Sequence, residues 1–136
     1  MKQKMINVTE SRLKELAQEA WECRERSYTF GGTKVGAAAM SSDGNIFVGC
    51  NVEHKFRSHD VHAEVNAITS MVATGRTKLS AIMIVAEQEL FTPCGACMDW
   101  IFQFGGPSCL VAYQSKKEGK IRKFQAMNLM PHYPKR

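Results

Sequence analysis

Leu13, Leu16, Ala17, Ala20 and Trp21 recur at the spacing of one helix face, and Thr9 is placed to cap a helix that runs to about Arg26. The period then changes. "KVGAAAMSS" and "NIFVGCNV" are β-rich runs on either side of Asp43-Gly44, a strong short-range hairpin signal. A second helix is predicted from about His62 to Thr74, with Gly75 placed to end it. "AIMIVAE" reads as a buried strand, "CGACMDWIFQF" as a short helix stopped by Gly105-Gly106, and "SCLVAYQS" as another buried strand. A last strand, "IRKFQA", follows the turn at Gly119-Lys120.

The order α-β-β-α-β-α-β-β, with apolar strands alternating with helices in the middle, predicts an α/β fold: one mixed five-stranded sheet with helices on both faces. No internal repeat, linker or low-complexity segment breaks the chain, so residues 1–136 are expected to form a single domain. A chain of 136 residues buries about two-thirds of the surface its unfolded form exposes and needs no disulfides to fold. The start, "MKQKMINVTE", has no apolar signal-peptide core, and no run approaches the roughly 20 apolar residues that span a bilayer. The expectation is a soluble, cytoplasmic protein with no membrane partner. Five cysteines in such a chain read as thiols or metal ligands, and their odd number points the same way. The net charge of +5 comes from scattered lysines and arginines. Its densest run, "KKEGKIRK", reads as a solvated hairpin rather than a nucleic-acid stripe.

Chemistry enters at two helix starts, "VHAEVNAI" and "FTPCGACMDW". Zinc takes imidazole nitrogen and thiolate sulfur in a tetrahedral shell, and three protein ligands leave a fourth position for water. His62, Cys94 and Cys97 make three. A helix N-terminus carries partial positive charge and unpaired N–H groups, which favours thiolates at Cys94 and Cys97. Pro93 costs no helical hydrogen bond there, and Gly95 lets the backbone approach closely. Glu64, two residues after His62, bends toward the same point if the helix aims its N-terminus at the metal, and a carboxylate there is suited to moving protons.

Each fragment has a plainer reading. Glu64 alone is an ordinary surface helix residue, and CxxC alone is half of a structural zinc site or a redox pair. A closed, non-catalytic zinc site needs a fourth protein ligand, for which His59 is the candidate. Cys23, Cys50 and Cys109 read as packing residues. It is the joint pattern of HAE and PCxxC, each at a helix start, that is specific, and the combination is a described signature of zinc deaminases.

The chain resembles the cytidine deaminase family over nearly its whole length. "KVGAAAMSSDGNIFVGCNVE" is similar to that family's first hairpin, "HAE" and "PCGAC" to its zinc and catalytic segments, and "LMPHY" to its carboxy-terminal segment. His62 follows Asn51 at the family's interval of eleven positions. The resemblance implies a three-layer α/β/α fold, Zn2+ held by His62, Cys94 and Cys97, and Glu64 as the proton shuttle. It further implies that Asn51 and Glu53 bind the ribose hydroxyls, and that backbone groups at Ala63 and Pro93 meet the pyrimidine oxygen and the exocyclic amine. The activity implied is hydrolytic deamination of cytidine or deoxycytidine to uridine or deoxyuridine with release of ammonia, as in pyrimidine salvage. The partner is then a small nucleoside and the assembly a homotetramer, with the "PHYPKR" tail and Tyr133 reaching a neighbouring chain.

The chain departs from the family at three places. The small tetrameric members usually carry cysteine at the position of His62 and arginine at that of Val65. These two changes match each other, because without a third thiolate there is no excess negative charge to offset. Thr33 stands where members often have an aromatic residue to stack on the base, and "CMD", with Met98 and Asp99, replaces their CRQ. The departures leave a related substrate open, such as blasticidin S or a modified cytidine. An RNA-editing deaminase shares HAE and PCxxC, but no clustered basic-aromatic surface is visible.

Overall fold

Thr9 accepts a hydrogen bond from the Arg12 backbone N–H at 3.1 Å and starts helix α1, Glu10–Arg24. The structure, a computed structural model, describes residues 8–133. The face that α1 buries carries the stripe read from the sequence: Leu13, Leu16, Ala17, Ala20 and Trp21. Strands β1 (Gly36–Ser41) and β2 (Ile46–Cys50) follow, joined through Asp43-Gly44. Then come helix α2 (Ala63–Ala73), strand β3 (Leu79–Val85), helix α3 (Gly95–Gly105) and strands β4 (Leu110–Gln114) and β5 (Ile121–Gln125). A 3-10 turn at Arg57–His59 and a four-residue helix α4, Ala126–Leu129, were not expected, because both are too short to show a period. Lys34, Val35 and Cys109 fall just outside the strands predicted to hold them.

The sheet order is β2-β1-β3-β4-β5, with β3 and β4 parallel and the other neighbours antiparallel. A parallel pair needs a crossover, and α3 supplies it. Strand alternation divides the core in two. Ala37, Ala39, Ile82, Ile84 and Val111 face α2 and α3, whereas Ala38, Met40, Ala81, Met83 and Ala112 face α1. The result is the expected three-layer α/β/α arrangement around a mixed five-stranded sheet. Burying an isoleucine such as Ile82 or Ile84 contributes about 1.5–3 kcal/mol relative to leaving it exposed. Among the described residues no helix is long and apolar enough to cross a membrane.

One contact sets the height of α2 over the sheet. A Cβ on Gly49 of β2 would press on the Ala67 backbone nitrogen and lie 2.7 Å from the Ala63 carbonyl oxygen. Only glycine lets the first turn of α2 lie directly on the strand, and that turn carries Glu64.

Candidate active site

Sheet register brings the site together. Gly36 pairs with both Cys50 and Val85, so the start of β1 and the ends of β2 and β3 form one row at one edge. Residues 33–35, 51–53 and 91–94 enter or leave the sheet at that edge. A short ladder adds the segment before α2: Val52 and Val61 exchange backbone hydrogen bonds at 2.8 and 2.9 Å, and the Glu53 N–H donates to the Tyr28 carbonyl at 2.7 Å. Glu53 and His62 are thereby fixed on adjacent backbone. A pocket of about 320 Å³ opens between these segments, with Thr33, Asn51, Glu53, His62, Glu64 and Phe91 among its walls.

His62 and Cys94 occupy the N-cap positions of α2 and α3, one residue ahead of the helices themselves. The His62 Nδ1 lies 3.2 Å from the Cys97 Sγ and 3.5 Å from the Cys94 Sγ, and the three ligand atoms all lie within 4.8 Å of one another. Tetrahedral zinc bonds of about 2.3 Å to sulfur and about 2.0 Å to nitrogen separate such atoms by about 3.5 Å. The donor set therefore fits zinc in both chemistry and spacing. His59 is not in this group; its ring packs edge-on against His54 at 5.1 Å.

Glu64 is buried, and its carboxyl lies within reach of the Cys97 thiol. Burial pushes the Glu64 carboxyl above the usual range, against the pull of its own backbone N–H, His62 and Cys97. Burial, followed by Glu64 and Cys94, also raises the Cys97 thiol, opposite to the effect expected from the helix terminus alone. The reason is that Cys97 is fully enclosed beside a carboxylate and a second sulfur. A divalent cation among the three ligand atoms reverses that balance.

The other predicted residues divide. Asn51, Glu53 and Ala63 line the pocket, whereas Pro93 stands between two wall residues, Thr92 and Cys94, without lining it. The Asn51 side chain already serves the backbone: it accepts from the Val35 N–H at 2.9 Å and donates to the Thr33 carbonyl at 2.8 Å. One amide hydrogen and one lone pair remain for a ligand. Thr33 accepts a hydrogen bond from the Gln88 side chain at 2.8 Å, tying two loops together. Met98 packs in the core. Tyr133 stacks on Phe102 of its own α3 with ring centres 4.0 Å apart, and the residues after it lie outside those described.

Among the wall residues missed from the sequence are Arg57, Asp60 and Phe91. Phe91 places an aromatic residue on the pocket wall, where it also packs against the core beneath α2 and α3. Asp60 accepts from the His54 N–H at 2.7 Å and from the Arg57 Nε at 2.8 Å, and these partners, the backbone N–H first, lower its carboxyl below the ordinary range. The available signal was the acid-base pair three residues apart in "RSHD", within a stretch that reads as a solvated loop.

The family described as "Cytidine and deoxycytidylate deaminase zinc-binding region" matches residues 10–113. A cytidine deaminase from Sporosarcina psychrophila is 33% identical over 121 residues, which are 88% of each chain. One from Halalkalibacterium halodurans is 30% identical over 85% of this chain and 89% of its own. The crystal structure of cytidine deaminase from Burkholderia pseudomallei superposes with a TM-score of 0.79 at 33% identity, over 87% of this chain and 95% of its own. With zinc as the family's metal and a matching donor set at the meeting of two helix starts, the chain belongs to the cytidine and deoxycytidylate deaminase family.

Proposed function

We propose that the protein removes the amino group of cytidine or deoxycytidine by hydrolysis, giving uridine or deoxyuridine and ammonia. The observation that carries this reading is a buried carboxylate, Glu64, beside a three-ligand group that opens onto a pocket. When bound by His62, Cys94 and Cys97, zinc supplies the Lewis acidity that makes water nucleophilic near neutral pH.

The protein residues do the rest. Glu64 takes a proton from the attacking water, passes it to the ring nitrogen beside the reacting carbon, and carries a second proton to the departing ammonia. The Ala63 N–H is among the unpaired donors of the first turn of α2 and meets the pyrimidine oxygen. The Pro93 carbonyl accepts from the exocyclic amine. Asn51, with the donor and acceptor left over from its backbone bonds, and Glu53 bind the sugar hydroxyls.

The 136 residues work as one domain in the cytoplasm, in pyrimidine salvage. We further propose a homotetramer. Tyr28, Phe30 and Phe56 are each more than half exposed, and Val52 and Val61, which line the pocket, are exposed as well; an apolar collar of this kind favours contact with a second chain. Ammonia release from cytidine, deoxycytidine and blasticidin S, measured side by side on the zinc-loaded protein, tests the substrate. Faster turnover of blasticidin S than of either nucleoside would replace the reading.

A further inference from the structure

Glu53 is 8% exposed, and its two oxygens have different partners. Oε1 accepts from the Phe30 backbone N–H at 2.8 Å, and Oε2 lies 3.4 Å from the Arg57 guanidinium. A Cβ at position 32 would collide with Oε2, so Gly32 leaves the space that this oxygen occupies. Arg57 is itself held: its Nε donates to Asp60 at 2.8 Å, and Asp60 is pinned by the His54 N–H at 2.7 Å. A connected line of contacts thus runs from a loop backbone through Asp60 and Arg57 to the pocket carboxylate, and all three side chains are on the pocket wall.

The Arg57 side chain is 63% exposed, and ion pairs with that much solvent contribute little to stability. Orientation is a different matter. A guanidinium is a rigid planar fork, so fixing Nε on Asp60 aims the remaining donors at Glu53. At 3.4 Å the contact is long for a hydrogen bond. It steadies Oε2 electrostatically and leaves the oxygen's lone pairs free for a ligand.

We propose that Arg57, clamped by Asp60, is a positioning residue for sugar recognition: it holds the Glu53 carboxylate in the orientation that accepts hydrogen bonds from substrate hydroxyls. This rests on the reading of Glu53 as a sugar-binding residue. It makes the protein selective for nucleosides that keep their ring hydroxyls.

The test compares cytidine with 2′,3′-dideoxycytidine in steady-state kinetics of the zinc-loaded enzyme. Arg57→Ala raises KM for cytidine by about tenfold, since the Phe30 N–H still holds one oxygen, and leaves kcat within about twofold. On the dideoxynucleoside, where Glu53 has no hydroxyl to meet, the same variant shifts KM by less than about twofold. Arg57→Lys keeps the charge without the fork and recovers part of the loss. Asp60→Asn gives a smaller loss of the same selective kind, and serves in its place if Arg57→Ala does not fold. An equal loss on both nucleosides, a loss in kcat at constant KM, or no loss overturns the role of Arg57. If the unmodified enzyme prefers cytidine and Arg57→Ala keeps that preference, Arg57 alone is refuted. If the unmodified enzyme turns over both nucleosides equally, the sugar reading of Glu53 falls and this inference falls with it; if it turns over neither, the deamination reading itself falls.

Discussion

At the start of α1, Thr9 lies at φ −72°, ψ 161°, and its hydroxyl accepts the Arg12 N–H. At the starts of α2 and α3, His62 (φ −76°, ψ 152°) and Cys94 (φ −69°, ψ 170°) hold nearly the same backbone conformation, yet neither side chain makes a cap hydrogen bond. All three residues stand where a chain turns into a helix with unpaired N–H groups ahead of it. Thr9 closes its helix end; His62 and Cys94 turn their donor atoms toward each other and toward Cys97. A side chain at an N-cap can satisfy its helix or point elsewhere. Forgoing a cap costs about 1 kcal/mol per helix, so a pair of uncapped starts facing each other is a mark of function.

Removing a ligand has the largest expected effect. Cys97→Ala abolishes zinc binding and takes ammonia release to background, as metal analysis and an activity assay on the same preparation will show. Cys109→Ala is the matched control. That thiol is equally buried, and burial raises it to about 12, but it lies outside the ligand group, so the variant keeps its zinc and its turnover. Zinc lost from both variants would mean that the metal depends on the core as a whole and not on two helix starts.

Glu64→Gln comes next. Glutamine has nearly the same shape and cannot shuttle protons, so zinc content stays at the unmodified level while kcat falls by about 10²–10⁴. A variant with near-normal kcat removes Glu64 from the chemistry.

The uncapped pair was legible in the sequence for the same reason that it is unusual. Histidine, glutamate and two cysteines at predicted helix starts form local patterns, and the apolar periods of α1, β1 and β3 fix where those starts fall. The Glu53–Arg57–Asp60 line was not legible. "HKFRSHD" has no period, and the burial of Glu53 depends on the Tyr28 and Phe30 backbone, more than twenty residues earlier. Phe91 was missed on similar grounds, because a loop residue becomes a pocket wall only after β3 has set where its loop begins. Local chemistry shows in one sequence, whereas contacts between loops wait for the sheet register.

His62→Ser tests the comparison from the opposite direction. Serine is a strong N-cap residue, His62 is exposed, and the backbone already has the cap conformation. The variant loses zinc, yet in metal-free buffer it is more stable than the unmodified protein by about 0.5–2 kcal/mol, read as a rise of a few degrees in Tm. A fall in the metal-free Tm would show that His62 supports the helix start as it stands.

Thr9→Ala carries the smallest effect and separates the two kinds of helix start. It removes the acceptor for the Arg12 N–H, while Leu13, Leu16 and Trp21 keep α1 packed on the sheet. Because Thr9 is exposed, water takes over part of the lost hydrogen bond, and the expected cost is about 1 kcal/mol or less in urea unfolding with an unchanged m-value. Kinetic constants and zinc content stay as they were, because α1 lies on the face of the sheet opposite α2 and α3. Thr9→Ser, which keeps the hydroxyl, restores the stability. If Thr9→Ala instead slowed turnover at unchanged zinc content, the α1 face would be coupled through the sheet to the pocket, and packing and chemistry in this fold would not be separable.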